Sequence, residues 1–304
     1  MKREALADLE AIVAIARRGS FRGAARELDV SPTALSHAIA SVEAGLGVRL
    51  FHRTTRSVSL TAAGHAFVAE ITPALGVIRS AIDGVNRHRE TPTGVLRINS
   101  SSNAARQVLA PVVFEFLRRF TEMKVDLVVE DRLIDIVAEG FDAGVRLGDT
   151  VPADMIAVPL GREQDFAVVG APDYFIGRKP PVTPDELLGH NCIRARLPSG
   201  ALFRWEFPGG GEPFNVDVPG RLTLDNADLM LEAARAGLGL AYSWRWLAAE
   251  DLAAGRLIEV LAGWTASYGR FRLYYSSRKY VPAGLRAFID LAREMAPRLG
   301  DALI

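Results

Sequence analysis

The stretch SFRGAARELDVSPTALSHAIASVEAGLGVRLFHRTTRSVSLTAAG, Ser20 to Gly64, decides how the rest of the chain is read. It divides into two short helices, a tight turn and a basic hairpin. Upstream, Leu6, Leu9, Ile12, Val13 and Ala16 recur at helical spacing and predict an amphipathic helix over 4–18. Gly19 ends it, and Ser20 caps a second helix, 21–28, which turns Phe21, Ala24, Ala25 and Leu28 inward. Ala24 and Ala25 are small enough to let a crossing helix approach. Asp29-Val30 is the break. Ser31 is then an N-cap with Pro32 at the first helical position, a strong start signal. In the third helix Ala34, Leu35, Ala38, Ile39 and Val42 form one buried stripe. Thr33, Ser36, His37 and Ser41 are left on or beside the other face.

A small helical bundle with polar solvent faces would share this periodicity. The third helix, however, opens with short hydroxyl side chains instead of Glu and Lys, and these suit phosphates and base edges. Arg49-Leu-Phe-His-Arg-Thr-Thr-Arg56 follows, a basic turn between apolar runs ending at Val58 and Leu60. Two helices and a basic hairpin present one helix to the DNA major groove and a wing to phosphate or minor groove. The candidates for DNA contact are Ser31, Pro32, Thr33, Ser36 and His37 on the helix, with Arg53, Thr54 and Arg56 on the wing.

The chain has 304 residues, enough for two or three folding units, and 49% of them are apolar. Its formal net charge is zero, which excludes a polycation. Residues 1–60 nevertheless carry nine Lys/Arg against six Asp/Glu, a local excess that the basic wing concentrates. Cys192 is the single cysteine, so no intramolecular disulfide forms and a cytoplasmic location is expected. It lies in an apolar, strand-like stretch and is expected to be buried and inert. The N-terminal residues carry charge and no apolar signal core, and no run approaches a membrane span.

His37, His52, His65, His88 and His190 are scattered, and none pairs with Cys192 or another His at ligand spacing. No metal site and no cofactor are expected. There is no Gly-x-Ser-x-Gly elbow. Gly209-Gly-Gly and Gly237-Leu-Gly lack the spacing and the Lys-Ser/Thr of a phosphate loop. The expectation is a protein that is not an enzyme. The alternative is an enzyme or a solute-binding protein that uses the C-terminal region, with the N-terminal segment a minor or structural element.

After Thr61 the pattern changes. Val68, Ile71, Leu75, Ile78, Ile82 and Val85 are spaced 3, 4, 3, 4, 3, a heptad seam. The helix either lies on its own domain or pairs with its copy in a second subunit. It follows a complete small domain and ends at the linker-like Glu90-Thr-Pro-Thr-Gly94, which favours the second. Pro73 removes one of its backbone bonds.

From Val95 strands and helices alternate. Strands are predicted at 95–98, 125–129, 143–147, 166–169, 192–196, 221–224, 238–242 and 271–275. Helices are predicted at 104–120, 134–139, 226–236 and 282–296. Alternation of this kind argues an α/β fold with largely parallel sheets. Arg204–Phe207 and Phe214–Val218 read as a hairpin. In such folds ligands bind beyond the carboxyl ends of strands. The candidates there are Ser100, Ser101 and Ser102, Arg146, Arg196 and Asn226. Each has a plainer use, the serines as caps and the arginines as surface or ion-paired groups.

The N-terminal segment resembles the winged helix–turn–helix of the LysR-type transcriptional regulators. The residues that carry the likeness are Gly19-Ser20-Phe21, Ala24-Ala25, Leu28, Ser31, Ala34-Leu35-Ser36, Ile39, Glu43, Leu46-Gly47, Leu50-Phe51, Arg53, Leu60-Thr61 and Ala63-Gly64. Many members have Gln in place of Pro32 and Arg in place of His37, so the target sequence does not carry over. Residues 94–296 resemble the family's effector domain, itself similar to periplasmic solute-binding proteins. Asp135–Asp142, Gly144–Gly148 and Gly237–Tyr242 carry that match.

The resemblance implies three parts. Residues 1–60 would form the winged helix–turn–helix domain, with the helix–turn–helix at 21–40, and 61–90 the linker and dimerisation helix. Residues 91–304 would form a two-lobed effector-binding domain, with lobe I at 91–162 and 268–304 and lobe II at 163–267. The seam would pair two subunits. The implied partners are double-stranded promoter DNA at an interrupted palindrome, a small-molecule effector such as a carboxylate or aromatic acid, a second or further copies of the chain, and RNA polymerase.

Overall fold

The computed structural model describes residues 3–53, 58–85, 92–208, 214–265, 267–276 and 281–299, with backbone alone at 3–5 and 79–85. The N-terminal head consists of α1 (Arg3–Arg18), α2 (Phe21–Glu27), α3 (Pro32–Leu46) and the strands β1 (Phe51–Arg53) and β2 (Val58–Leu60). Gly19, at φ +58°, turns the chain out of α1. The Ser20 hydroxyl then accepts from the Gly23 amide at 3.2 Å and the Ser31 hydroxyl from the Ala34 amide at 3.1 Å. Asp29 takes the left-handed conformation that the tight turn needs, at φ +54°, which Asp tolerates better than most residues.

Ile12, Ile15, Ala24, Ala25, Leu35, Ile39, Leu50 and Phe51 form the head's core. Ala24 and Ala25 are fully buried, as their small size at the α2 crossing predicts. One expected core residue is misplaced: Ala34 is exposed. The buried stripe of α3 is Leu35 and Ile39 flanked by half-buried Ala38 and Val42, because the first turn of α3 projects past the core.

The long helix α4 (Ala62–Val85) runs through Pro73 as a single element. Thr61 caps it: its Oγ1 accepts from the Gly64 amide at 2.9 Å and donates to the Arg49 carbonyl at 2.8 Å. Gly64 sits hard against the head, where a Cβ would lie 2.0 Å from the Leu50 carbonyl oxygen.

The expected seam divides along the helix. Val68 and Ile71 pack with Phe67 onto the head's own core, and Leu75 is only 4% exposed within the single chain. Ile78 is half-buried, and the side chains of Ile82 and Val85 lie outside the described residues. The first part of α4 thus lies on its own domain. The open side of α4 instead carries Ala66, Ala69, Ala74 and Val77, the last 68% exposed.

Beyond residue 92 two α/β lobes share one sheet. Lobe I contains β3 (Gly94–Ser100), a helix running from α5 (Ser102–Ala104) through a π-turn at Ala105–Leu109 into α6 (Ala110–Arg119), then β4 (Met123–Val129) and β5 (Ala143–Leu147). The long strand β6 (Ile156–Gly170) leads into lobe II. There follow β7 (Cys192–Ala195), the hairpin β8 (Trp205–Phe207) and β9 (Phe214–Val216), β10 (Leu222–Leu224), α7 (Ala227–Arg235), β11 (Leu240–Trp244), α8 (Arg245–Ala253) and β12 (Ile258–Val260). The chain returns along β13 (Ser267–Tyr275) and ends its described part in α9 (Ala283–Met295) and a short turn of helix at Ala296–Arg298. The strand order is β10-β7-β11-β6-β13-β5-β3-β4, with β12 beside β6.

The sheet is mixed, where a largely parallel one was expected. β3, β4 and β5 are mutually parallel in lobe I, as are β7, β10 and β11 in lobe II, but β6 and β13 run antiparallel to their neighbours and to each other. The first half of β6 escapes the sequence because Gly161-Arg-Glu-Gln-Asp165 breaks the apolar pattern. α8 and β12 were likewise not anticipated. A helix expected at Ile134–Glu139 is instead a single turn. The Asp135 carboxylate accepts from the Val137 and Ala138 amides, and Gly140 at φ +70° ends the turn at once.

Lobe I is held by Ile98, Val108, Val112, Phe116, Phe271, Leu273 and Phe288, and lobe II by clusters on the two sides of its strands, around Trp205, Phe207 and Tyr242 and around Ile193, Leu231 and Ala241. A buried carboxylate ties the helices of lobe II. Asp251, 1% exposed, accepts from Arg235 Nε at 2.8 Å and Arg256 Nε at 2.6 Å. Burial opposes its charge, but the two guanidinium groups bring its pKa below the ordinary 3.8.

Three outcomes follow from this packing. Gly64→Ala costs ~1–3 kcal/mol in thermal unfolding of the full chain because the Leu50 carbonyl must move. Gly45→Ala, inside α3 with open space around it, is neutral or stabilises by ~0.5–1 kcal/mol. For Asp251, a depressed folded pKa means that its stabilisation is present above the unfolded value and is lost as pH falls through the folded one. Asp251→Asn therefore lowers stability at neutral pH by ~2 kcal/mol and flattens the acid limb of a denaturation curve recorded below pH 4.

Candidate DNA-reading surface and inter-lobe cleft

The reading surface is the open N-terminal half of α3. Ser31, Pro32, Thr33, Ala34 and His37 are exposed, and Ser36 is half-buried beside them. Ala34 joins this face against expectation. Ser31 already accepts from the Ala34 amide, which leaves its hydroxyl one proton to donate and one lone pair to accept with.

What fixes the wing against this helix is Glu43, near the end of α3. Its Oε1 accepts from the backbone amides of Leu50 and Phe51 at 2.8 and 3.1 Å, and its Oε2 from Arg53 Nη2 at 2.9 Å. Arg53 also donates to Ser36 Oγ at 3.3 Å and lies 4.6 Å from the centre of the Phe21 ring. Arg53 is thus a clasp between wing, α2 and α3. Thr54 and Arg56 lie outside the described residues. Glu43 was recognised only as part of a family pattern; its role shows in the fold, since its partners lie seven to ten residues away.

The candidate effector residues separate into two rims. On lobe I, Ser100 is fully buried and its Oγ donates to the Ser101 carbonyl. Ser101 stands at the start of α5, and its side chain makes no capping bond. Ser102 donates its hydroxyl and its amide to Asp131, both at 2.8 Å in their shortest contacts. On lobe II, Asn226 Oδ1 accepts from the Leu229 amide at 3.0 Å and caps α7. The two helix starts are brought together by Arg106, which pairs with Asp228 in the first turn of α7 and lies 5.9 Å from the Trp246 ring.

Arg106, Asp228 and Trp246 escaped the sequence reading. The available signal was spacing: Arg106 is one helical turn beyond Ser102, and Asp228 two residues beyond Asn226.

Two candidates stand apart from these rims. Arg146 is 4% exposed and bonded to Asn99, Val145, Glu130 and Arg132. Burial lowers its pKa, against Tyr274, Asp131 and Glu130, which raise it. Arg196 is exposed and donates to the Gly200 carbonyl at 3.0 Å, holding a surface turn.

At the base of the cleft, β6 and β13 form the passage between the lobes. Gly161, at φ +67°, lies where their register shifts, and a side chain there would meet Val108. Phe166 stacks on Tyr242 at 4.8 Å and meets Trp244 at 4.1 Å and Tyr268 at 5.0 Å. Trp244, on a lobe II strand, packs against the core of lobe I. Tyr268 donates to Glu206, and burial followed by that bond pushes its pKa up.

Cys192 is fully buried, and burial pushes its thiol up to about 12, so it stays protonated at neutral pH. Among the described residues, no three His, Cys, Asp or Glu lie together as metal ligands, and no helix is long and apolar enough to cross a membrane.

Residues 6–65 match the bacterial regulatory helix-turn-helix protein, lysR family, and residues 89–297 match the LysR substrate binding domain. The chain is 41% identical over 288 residues to the HTH-type transcriptional regulator YcaN of Escherichia coli K12, covering 95% of this chain and 94% of that protein. It is 38% identical over 291 residues to PgrR of the same organism, covering 95% and 97%. Among solved structures, CrgA of Neisseria meningitidis, a LysR-type transcriptional regulator, shares 28% identity with a TM-score of 0.58 over 95% of this chain and 98% of that one. Full-length AphB, the Vibrio cholerae virulence activator, shares the fold with a TM-score of 0.66 at 23% identity, over 96% and 99%. With a head built to present α3, a two-lobed domain behind it, and both parts matched in order, the chain belongs to the LysR family of transcriptional regulators.

Proposed function

We propose that this regulator reads an interrupted palindrome in promoter DNA as a dimer or tetramer and answers to a small molecule bound between its lobes. The observation that carries the reading is the exposed start of α3, held at a fixed angle to the wing by Glu43. Residues 1–60 form the head, 61–90 the linker helix and 91–304 the sensor. Lobe I spans 91–162 and 268–304, and lobe II 163–267. Thr33, Ser36 and His37 face base edges, and the wing reaches backbone phosphate. The effector sits between the helix starts at Ser101–Ser102 and Asn226, where the positive ends of the two helices favour an anion such as a carboxylate that takes Arg106 from Asp228. The protein works in the cytoplasm and acts with RNA polymerase.

Footprinting of the full-length protein on the DNA upstream of its own gene, at stated salt and with candidate carboxylates added, tests this directly. A protected site whose pattern changes with one carboxylate is expected; no protection under any condition refutes it. Thr33→Ala relaxes base choice at one position by ~1–3 kcal/mol of discrimination. Arg53→Ala removes both the charge and the forked clasp. Affinity then falls for all sequences, while the slope of log K against log salt is unchanged. A slope reduced by about 1 would instead make Arg53 a phosphate contact.

The open side of α4, with Ala66, Ala69, Ala74 and Val77, pairs two subunits. Val77→Asp halves the mass seen in sedimentation while far-ultraviolet circular dichroism is retained. Leu75→Asp, by contrast, destabilises the single chain, since Leu75 is already buried within it.

A further inference from the structure

In lobe I the sheet face turned away from α6 and α9 carries a cluster of buried polar groups. Leu96, Ile98, Ala143, Val145 and Leu273 point into the core with those helices. The alternating residues Asn99, Gly144, Arg146 and Tyr274 therefore share the other face. Asn99 and Tyr274 are both register partners of Gly144, and Arg146 follows two residues along β5. Exposures are 0% for Asn99, 4% for Arg146 and 1% for Tyr274. Gly144 lets the phenol lie across the strand: a Cβ there would come 2.6 Å from the Tyr274 hydroxyl. Residues 130–142 are tied to this face by Arg97, which donates to the Gly140 carbonyl, and by Arg146, which donates to the carbonyls of Glu130 and Arg132.

Every acceptor that Arg146 reaches is neutral. Nη1 donates to the Val145 carbonyl, and Nη2 to Asn99 Oδ1 and to the Glu130 and Arg132 carbonyls. Among the described residues no carboxylate forms an ion pair with it. The neighbouring acids are engaged elsewhere, Glu130 with Arg132 and Asp131 with Ser102. An arginine only donates, so the Asn99 amide must turn its oxygen toward Arg146 and its Nδ2 away. Asn99 Nδ2, Arg146 Nε and the Tyr274 hydroxyl then carry no protein partner. Buried donors are rarely left unmade, and a buried charge is costly without a counter-charge.

We propose that this face of lobe I holds a small monovalent anion of chloride size, bonded by Arg146, Asn99 and Tyr274. The anion is the counter-charge of Arg146 and fastens residues 130–142 across the ends of β3, β4 and β5. It thereby steadies Asp131, whose carboxylate holds Ser102 on the cleft rim. The site is separate from the effector cleft and does not depend on what binds there or on DNA.

Crystals of the full chain grown in bromide decide the matter. An anomalous peak within hydrogen-bonding distance of at least two of the three groups is expected; a water without anomalous signal, or nothing, overturns the proposal. In solution, chloride raises the unfolding midpoint over gluconate at equal ionic strength by about 2–4 °C once the site is filled. Tyr274→Phe removes one donor and at least halves that rise. Equal midpoints in the two salts for the unaltered chain overturn the proposal. Should Tyr274→Phe fail to fold, the bromide map of the unaltered chain still gives the answer.

Discussion

Both lobes hang on one antiparallel ribbon. β6 and β13 pair from Ile156–Tyr275 to Asp165–Ser267, and the rest of the sensor attaches to one side or the other of that ladder. Its backbone bonds resist stretching but allow twist, and the register shift beside Gly161 loosens the ladder where the lobes part. The aromatic residues around Phe166 oppose free swinging, since Trp244 is held by lobe II backbone and lobe I packing together. A ligand that changes the lobe angle must therefore repack these rings, which favours a few discrete angles over a continuum.

The head follows the same logic on a smaller scale. Three donors from β1 and the residue before it end on the single carboxylate of Glu43. The wing is otherwise a three-residue pair of strands, too short to hold an orientation by itself. The carboxylate supplies the missing stiffness, and the angle between wing and α3 follows from one side chain.

Local signals were legible in the sequence wherever the physics is local. Ser20, Ser31, Pro32 and Gly19 punctuate the head as their cap and turn chemistry requires. The strand–helix alternation of the lobes follows from apolar runs. The failures share one cause, a residue whose environment is set by distant chain. Leu75 obeys a heptad yet is buried within its own subunit, and Arg146 ends a strand as a ligand-binding arginine would but also holds the carbonyls of Glu130 and Arg132. β6 hides because a strand bridging two lobes is polar where it crosses between them. Arg106 and Asp228 become partners only when two separately folded rims meet.

Lobe II enters and leaves lobe I at adjacent points: Asp165 and Ser267 are register partners on neighbouring strands. It is topologically an inserted cassette whose ends already touch, so exchanging it for another would require no new loop to be closed. The condition such a graft must meet is narrow. Whatever replaces Trp244 has to fill the same space against Phe271, because that contact, 6.0 Å between ring centres, is where the inserted piece is keyed into its host. A sensor built this way can acquire a new ligand by replacing half of its binding surface, while the half that connects to the DNA-reading head stays as it was.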